Sequence, residues 1–288
     1  MFAQRLAADA ARIQAQFDQV LAALDDLPVT RAMGYATEGG KRLRGFLVLE
    51  GARMLGVDPA RAIWPATAIE AMHAYSLVHD DLPCMDDDDL RRGRPTVHVQ
   101  WDEGTAVLAG DALQALAFEL AGHPDCGDAQ VRADLALSLA RAAGARGMVL
   151  GQALDIAAET AETPLTLEQI TRLQAGKTGA LIEWSACAGA RLAGADLGPL
   201  SDYARALGLA FQIADDILDE EGDAEKAGKR LRKDAEAGKA TFVSLLGLDG
   251  AKARAAELAD QADAALAPYG AGAQCLRQAA RFVISRDS

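Results

Sequence analysis

The chain has 288 residues, of which half are hydrophobic and a quarter are charged, as is usual for a packed globular protein. This composition excludes a disordered or collagen-like chain, and the length allows one large domain or two small ones. The formal net charge of −13 repels nucleic-acid phosphates and anionic lipid, so we expect no nucleic-acid partner. No apolar run approaches the roughly 18 residues of a spanning helix, so we expect no membrane insertion.

The cysteines and the N-terminal segment bear on the compartment. Four cysteines lie far apart without a C-x-x-C pair, which indicates neither a zinc site nor a disulfide framework. The N-terminal segment lacks a basic leader followed by an apolar block, so the sequence predicts no secretion signal. We therefore expect a cytoplasmic protein.

Alanine and leucine dominate the chain, whereas aromatic residues make up only 5%. This composition favours helix over strand, and we predict an all-α protein. No Ser/Gly-rich or Pro-rich linker interrupts the pattern, so residues 1–288 should form one domain. Apolar residues at helical spacing predict helices near 4–25, 43–56, 62–81, 104–121, 129–158, 166–175, 178–193, 202–220, 240–247 and 251–267.

An aspartate cluster closes the third of these helices. Asp80 and Asp81 end the helix, because Pro83 disfavours helical geometry in the residue before it, and Asp86 follows in the next turn. Two carboxylates about 5 Å apart repel each other by roughly 3 kcal/mol at an effective dielectric constant near 20, so the folded cluster requires a cation. Oxygen ligands favour Mg²⁺, which typically bridges carboxylates to substrate phosphates. For residues 87–89, a solvated acidic loop is the alternative.

A second cluster lies inside a later apolar helix and consists of Asp215, Asp216 and Asp219. Asp215 and Asp219 are four residues apart and therefore share one helix face. Burying that face without a partner would be costly. Because basic residues follow both clusters, the pair indicates a metal and diphosphate site more strongly than either cluster alone.

Basic residues supply candidate anion sites. Lys41 and Arg44 share a face if a helix starts in this segment, and its N-terminal amides would favour a phosphate. A Walker A loop is excluded, since Tyr35 stands where its first glycine should be. Lys177 should open a helix after a short polar break, where an ordinary surface lysine is the alternative. His73 lies two helical turns before the first aspartate cluster, and we expect it beside a polar cavity.

Together these motifs resemble the short-chain trans-polyprenyl diphosphate synthases, most closely the bacterial farnesyl diphosphate synthases. The resemblance extends from Gly39 to Arg286, with the motifs in the order of the family. It implies an all-α, isoprenoid synthase type bundle of about ten or more helices around a deep central cavity, usually as a homodimer. It also implies a Mg²⁺-dependent prenyltransferase that condenses isopentenyl diphosphate with dimethylallyl or geranyl diphosphate to make farnesyl diphosphate.

The same resemblance implies roles for individual residues. The direct ligands of a small cluster of Mg²⁺ ions, for which Mn²⁺ is an alternative, correspond to Asp80, Asp86 and Asp215, with Asp81, Asp216 and Asp219 in support. Residues that hold the allylic diphosphate correspond to Arg91, Lys177, Lys229 and Lys239. The isopentenyl diphosphate site corresponds to Gly40, Lys41, Arg44, His73 and Arg92. The allylic cation would face the carbonyl of Lys177 and the side chains of Thr178 and Gln212.

Product length also rests on the resemblance. In this family, a bulky residue five positions before the first aspartate forms the floor of the cavity and stops the growing prenyl tail. Here that residue is Tyr75, as in fifteen-carbon producers. Five residues of helix span about 7.5 Å, which would place Tyr75 that far below Asp80 in the cavity. The helical rotation, however, turns Tyr75 away from the helix face of Asp80, and Ser76 lies closer to that face. A ten-carbon or twenty-carbon product is the alternative. The sequence departs from the family pattern at Gly45, Leu150, Arg232 and Val243.

Two other functions remain open. A class I terpene cyclase shares the first acidic motif, but its second metal site normally mixes Asn, Ser and Glu, and it does not need Lys41 and Arg44. A non-catalytic partner subunit usually loses aspartates, and this chain keeps all of them. Both are therefore weaker readings than a prenyltransferase.

Overall fold

A computed structural model describes residues 2–221 and 240–285, and these residues are predominantly helical. The all-α prediction is therefore confirmed. The helices are α1 (Phe2–Leu21), α2 (Pro28–Thr37), α3 (Leu43–Met54), α4 (Pro59–Asp80), α5 (Val97–Gln100), α6 (Glu103–Ala121), α7 (Ala129–Ala143), α8 (Met148–Glu159), α9 (Leu167–Gln174), α10 (Ala180–Ala193), α11 (Gly198–Glu221), α12 (Phe242–Leu246), α13 (Leu248–Ala265) and α14 (Gln274–Ser285).

A small hairpin follows α4. Strand β1 (Leu90–Arg91) pairs antiparallel with β2 (Arg94–Pro95), with Leu90 opposite Pro95 and Arg91 opposite Arg94. The turn between them consists of Arg92 and Gly93, which both have positive φ values of 55° and 73°. Two successive residues of this kind are typical of the tight turns that match the twist of a hairpin. The sequence did not predict this hairpin.

The helices that carry the two aspartate clusters lie at the centre of the fold. Helix α4 packs against α3 and α6, and helix α11 packs against α10 and α13. The buried residues of α4 are alanines and larger apolar residues such as Ile69 and Met72, and they lie on most sides of the helix. A helix that is apolar nearly all round is usually a core helix, because it has no face to give to solvent. The core thereby fixes both aspartate clusters in place.

Local signals explain the bounds of α4. The side chain of Asp58 accepts a hydrogen bond from the backbone N–H of Ala60 at 2.9 Å, and Pro59 occupies the first helical position. Both features are typical of helix N-termini. The helix ends at Asp80, next to the predicted end at Asp81.

One predicted helix is wrong, because residues 129–158 form two helices. Helix α7 ends at Ala143 and α8 begins at Met148, with Gly144 and Gly147 between them. A Cβ atom on Gly147 would overlap the carbonyl oxygen of Ala142, so only glycine fits this turn. The sequence also missed α2, α5 and α14, although Pro28 at the start of α2 is a usual helix signal.

The predicted break before Lys177 is also wrong. Helix α9 continues through a wider, π-type turn at Ala175–Gly179 into α10, so the course is helical from Leu167 to Ala193. Such wide turns are rare and often occur at functional sites. None of the helices that the structure describes is both long enough and apolar enough to cross a bilayer.

Candidate active site

A cavity of about 650 Å³ lies where the loop after α4 meets α8, the 175–179 turn and α11. Its lining includes Asp86 and Asp88 from the first cluster, Asp216 from the second, and Asp155 and Lys177 between them. We call it the acidic cavity. Both aspartate clusters therefore contribute side chains to the same hollow, although they are far apart in the sequence.

The loop after α4 folds back onto the end of that helix. The backbone N–H of Asp86 donates to the carbonyl of Asp80 at 2.8 Å, and the N–H of Asp88 donates to the carbonyl of Asp81 at 3.3 Å. Asp87 supports this fold with a left-handed backbone, φ 50°, which aspartate tolerates better than most residues. The carboxylates therefore gather at the C-terminal, negative end of the helix dipole, where they need positive partners.

Asp81 has such a partner in the chain itself. Asp81 is 3% exposed, and Nε of Arg91 donates to both of its carboxylate oxygens, at 2.7 and 2.9 Å. Arg91 also lies 3.8 Å from the carboxylate of Asp88. This buried pair orients β1 and leaves Asp81 with less capacity for a further ligand than its neighbours in the cluster.

Asp80 is not compensated in the same way. Burial raises the pKa of Asp80 from 3.8 to about 6, with a further increase from the carboxylate of Asp86, and Lys177 and Arg91 only partly oppose this. The raised pKa reflects the burial of an ionised carboxylate beside Asp86, which a positive ligand would relieve. A divalent cation is the kind of ligand that would correct this.

Magnesium fits the donor set of the acidic cavity. Among residues 2–221 and 240–285, no three carboxylate, imidazole or thiol side chains are grouped closely enough to hold a metal on their own. The carboxylates instead line different sides of the cavity. Mg²⁺ usually keeps several waters and takes one or two carboxylates together with substrate phosphates. The arrangement therefore fits an ion that binds with a diphosphate.

Close backbone packing sets the position of Lys177. A Cβ atom on Gly151 of α8 would overlap the backbone nitrogen of Lys177, so the two segments touch without intervening side chains. Nζ of Lys177 lies 2.5 Å from a carboxylate oxygen of Asp155, one turn further along α8. Leu150, a departure from the family pattern, precedes Gly151 and leaves the contact between Gly151 and the backbone of Lys177 intact. The sequence analysis missed Asp155, since a single aspartate in a helix gives no local signal.

Thr178, Gln212 and Asp216 form a hydrogen-bonded series across the cavity. The hydroxyl of Thr178 donates to the side-chain oxygen of Gln212 at 3.4 Å, and the amide of Gln212 donates to Asp216 at 3.1 Å. The second oxygen of Asp216 accepts from the backbone N–H of Phe242 at 2.8 Å. Phe242 is the first residue of the short helix α12, which Thr241 caps. Val243, a departure from the family pattern, also lies in α12. Side-chain oxygens therefore lie side by side at the predicted position of the allylic cation.

The other two aspartates of the second cluster also lie on α11. Asp215 and Asp219 are partly buried. The carboxylate of Asp215 acts on Arg44, where it opposes the lowering of the pKa by burial. The predictions for Lys229 and Lys239, and the departure at Arg232, fall outside the described residues.

A second cavity, of about 560 Å³, is bounded by α3, α4, α11 and α14. We call it the basic cavity. It is lined by all of the residues predicted for the isopentenyl diphosphate site, namely Gly40, Lys41, Arg44, His73 and Arg92. The expectation that Lys41 and Arg44 share a helix face is wrong, because α3 begins only at Leu43. They reach the same cavity because Gly39, Gly40 and Arg42 turn the chain with positive φ.

The basic cavity has an excess of positive charge. Burial lowers the pKa of Arg44, and Nε of Arg44 has no hydrogen-bond partner among the described residues. Burial, and then the charges of Arg44 and Arg92, hold the pKa of His73 well below its usual range, so its imidazole is neutral. Guanidinium groups and a neutral imidazole around one hollow favour an anion such as a diphosphate.

Glu70 balances part of this charge, and the sequence analysis missed it. Glu70 is 4% exposed and lies 3.6 Å from a guanidinium nitrogen of Arg42. It also accepts a hydrogen bond from the backbone N–H of Gly45 at 2.7 Å. A proline at position 45, as in the family pattern, has no N–H to donate. The departure at Gly45 therefore adds a tie between α3 and α4 at the base of the basic cavity.

The residues predicted to set product length lie on α4. Tyr75 is 5% exposed, packs edge-on against His79 with ring centroids 5.7 Å apart, and hydrogen-bonds Gln114 of α6. The hydroxyl of Ser76 donates to the carbonyl of His73 at 2.9 Å. Within the described part of the chain, neither side chain belongs to the lining of the acidic or the basic cavity.

Comparison with known proteins agrees with this geometry. Residues 28–268 match the family model described as polyprenyl synthetase. The chain is 42% identical to a farnesyl diphosphate synthase of Haemophilus influenzae, over 96% of this chain and 94% of that protein. It is 45% identical to that of Escherichia coli, over 90% of each. A crystal structure of a FPP/GFPP synthase from Zymomonas mobilis superposes with a TM-score of 0.90 at 46% identity, over 97% of this chain and 98% of that one. The chain belongs to the polyprenyl synthetase family.

Proposed function

We propose that this protein is a Mg²⁺-dependent farnesyl diphosphate synthase, which joins isopentenyl diphosphate to dimethylallyl diphosphate and then to geranyl diphosphate. One observation carries the proposal. Two aspartate clusters from separate helices contribute to one cavity, and Arg44, His73 and Arg92 line a second cavity. Two diphosphates of different roles require two such sites.

The acidic cavity takes the allylic diphosphate. Asp80, Asp86 and Asp215 hold Mg²⁺, with Asp81, Asp216 and Asp219 in support. Bound Mg²⁺ supplies charge that stabilises the diphosphate as it leaves. Arg91, Lys177, Lys229 and Lys239 add positive charge to the same group. Lys177 is already oriented by Asp155, so its ammonium needs little reorganisation to reach the leaving oxygens.

The basic cavity takes isopentenyl diphosphate. Lys41, Arg44 and Arg92 bind its diphosphate, and Gly40 leaves room for the guanidinium of Arg92. His73 is neutral and serves as a hydrogen-bonding group beside the anion. Two binding sites of this kind also separate the proposal from a terpene cyclase, which uses a single substrate.

The reaction forms one carbon–carbon bond. The allylic C–O bond breaks and its electron pair leaves with the diphosphate. The remaining allylic cation faces the carbonyl of Lys177 and the oxygens of Thr178 and Gln212. The double bond of isopentenyl diphosphate attacks the cation, and a proton then leaves to the released diphosphate. Apolar walls exclude water, which would otherwise capture the cation.

The oligomeric state, the compartment and the product length complete the proposal. We propose that residues 1–288 act as one domain in a cytoplasmic homodimer. Val107, Leu108 and Leu137 are between 41% and 59% exposed, and apolar side chains of this size suit an interface between copies of the chain.

We assign the floor that limits product length to Tyr75, with Ser76 as its neighbour. The Zymomonas mobilis relative is a FPP/GFPP synthase, so a longer product is the alternative for this chain.

The test is chain elongation by the purified protein. The protein is incubated with Mg²⁺, labelled isopentenyl diphosphate and each allylic primer in turn, and the products are separated by size. We expect a fifteen-carbon diphosphate as the main product. Asp80→Ala should lower turnover by orders of magnitude, whereas Asp87→Asn, an exposed neighbour in the same loop, should retain it. A wild-type protein that elongates no primer would exclude the proposal.

A further inference from the structure

The hairpin after α4 carries Arg91 and Arg92, and these two arginines have different partners. Arg91 pairs with Asp81 at the acidic side, whereas Arg92 lies in the lining of the basic cavity. The strands are only two residues long. A two-stranded hairpin is marginal by itself, so its position depends on contacts with the rest of the protein.

Arg91 has a strong anchor of its own. Its two short hydrogen bonds to the buried carboxylate of Asp81 hold it to the end of α4. Arg92 has a weaker one, since the hydrogen bond that the structure gives it runs to the backbone carbonyl of Glu38 at 3.3 Å. The guanidinium of Arg92 also lies directly against Gly40, where an added Cβ atom would be only 2.8 Å away.

Three residues hold the hairpin on the side of Arg92. The hydroxyl of Tyr35, on α2, donates to the carbonyl of Pro95 in β2 at 2.7 Å. The guanidinium of Arg94 lies over the ring of Tyr35, 3.9 Å from its centre. Arg94 also pairs with the carboxylate of Glu38 at 2.8 Å. We call Tyr35, Arg94 and Glu38 the hairpin clamp.

The clamp connects directly to Arg92. Glu38 contacts the hairpin twice, through its carboxylate to Arg94 and through its carbonyl to Arg92. Because Arg94 pairs with Arg91 across the strands, a shift of β2 moves the turn that contains Arg92. Tyr35 is itself fixed by an edge-on contact with Trp101, with ring centroids 5.2 Å apart. Tyr35 is therefore the central residue of the clamp.

We propose that Tyr35 is a positioning residue for Arg92, and that it sets the affinity of the basic cavity for the diphosphate of isopentenyl diphosphate. This inference rests on the function proposed above. Tyr35 does not line the basic cavity, and it acts through the backbone of β2 and the turn. Because Arg91 has an independent anchor, the effect should be selective for the substrate bound by Arg92.

The test compares KM values for the two substrates. Tyr35→Phe removes the hydroxyl and keeps the ring under Arg94. The loss of one hydrogen bond should raise the KM for isopentenyl diphosphate about fivefold. The KM for geranyl diphosphate and kcat should change by less than about twofold. Arg94→Met, at an exposed position, should raise the same KM by a smaller factor. Tyr269→Phe, which removes a phenol hydroxyl from the 267–273 segment, is the matched control and should change none of these values.

Combination with Arg92→Gln distinguishes the outcomes. If Tyr35 acts through Arg92, Tyr35→Phe adds no further rise in KM when Arg92 is already Gln. An equal rise in both backgrounds would overturn the inference, as would equal changes of kcat and both KM values. An unchanged KM in Tyr35→Phe beside a raised KM in Arg92→Gln would overturn it and leave the proposed function intact. A KM that Arg92→Gln does not change would contradict the proposed role of the basic cavity itself.

Discussion

Replacement of Asp80 by asparagine should stabilise the protein in the absence of metal while it removes activity. The ionised carboxylate of Asp80 is disfavoured in the folded state, because burial and Asp86 raise its pKa from 3.8 to about 6. Such a rise corresponds to about 3 kcal/mol of destabilisation above pH 6. Since the side chain is only partly buried, we expect a gain of about 1–3 kcal/mol for Asp80→Asn at pH 8.

The sign of the pH dependence follows from the direction of this shift. The penalty on the wild type is complete above the folded pKa of about 6 and absent below the unfolded value of 3.8. The advantage of Asp80→Asn should therefore fall to about half at pH 5. Urea unfolding in the presence of a chelator, at pH 8 and at pH 5, measures the difference in unfolding free energy between Asp80→Asn and the wild type. Asp87→Asn, which removes an exposed carboxylate from the same loop, is the matched control. An Asp80→Asn protein that is no more stable than wild type at pH 8 would refute the reasoning.

Two further predictions concern α8 and α4. Gly151→Ala should force the 175–179 turn away from α8, because the new methyl group overlaps the backbone of Lys177. We expect turnover to fall at least about 100-fold and the unfolding free energy to fall by about 1–3 kcal/mol, and normal kinetics would contradict the contact. Tyr75→Ala should lengthen the product, as read by product sizing. An unchanged product would place the floor elsewhere.

The sequence predicted the parts of the site that have a local pattern. Paired aspartates at helical spacing inside apolar helices located both acidic clusters, and the end of α4 followed from Pro83. The family resemblance, rather than the spacing of the residues, assigned Gly40, His73 and Arg92 to one predicted site. Their shared cavity depends on how α3, α4 and the hairpin pack, which no local pattern encodes.

The residues that were missed have no local signal. Asp155 and Glu70 are single carboxylates in helices, and their partners, Lys177 and Arg42, lie more than twenty residues away in the sequence. The break between α7 and α8 was missed because alanine continues the helical pattern up to the glycines. In each case, contacts between distant segments decide the structure.

The tight turn of the hairpin has a consequence for how the sequence of this protein can vary. Arg91 and Arg92 are adjacent in the chain, yet Arg91 pairs with Asp81 at the end of α4 whereas Arg92 lines the basic cavity, so one peptide unit links the first aspartate cluster to the basic cavity. A single inserted or deleted residue in the turn would reverse the faces to which the side chains of β2 point. The length of the turn therefore cannot vary without a change in how Arg91 and Arg92 lie relative to each other.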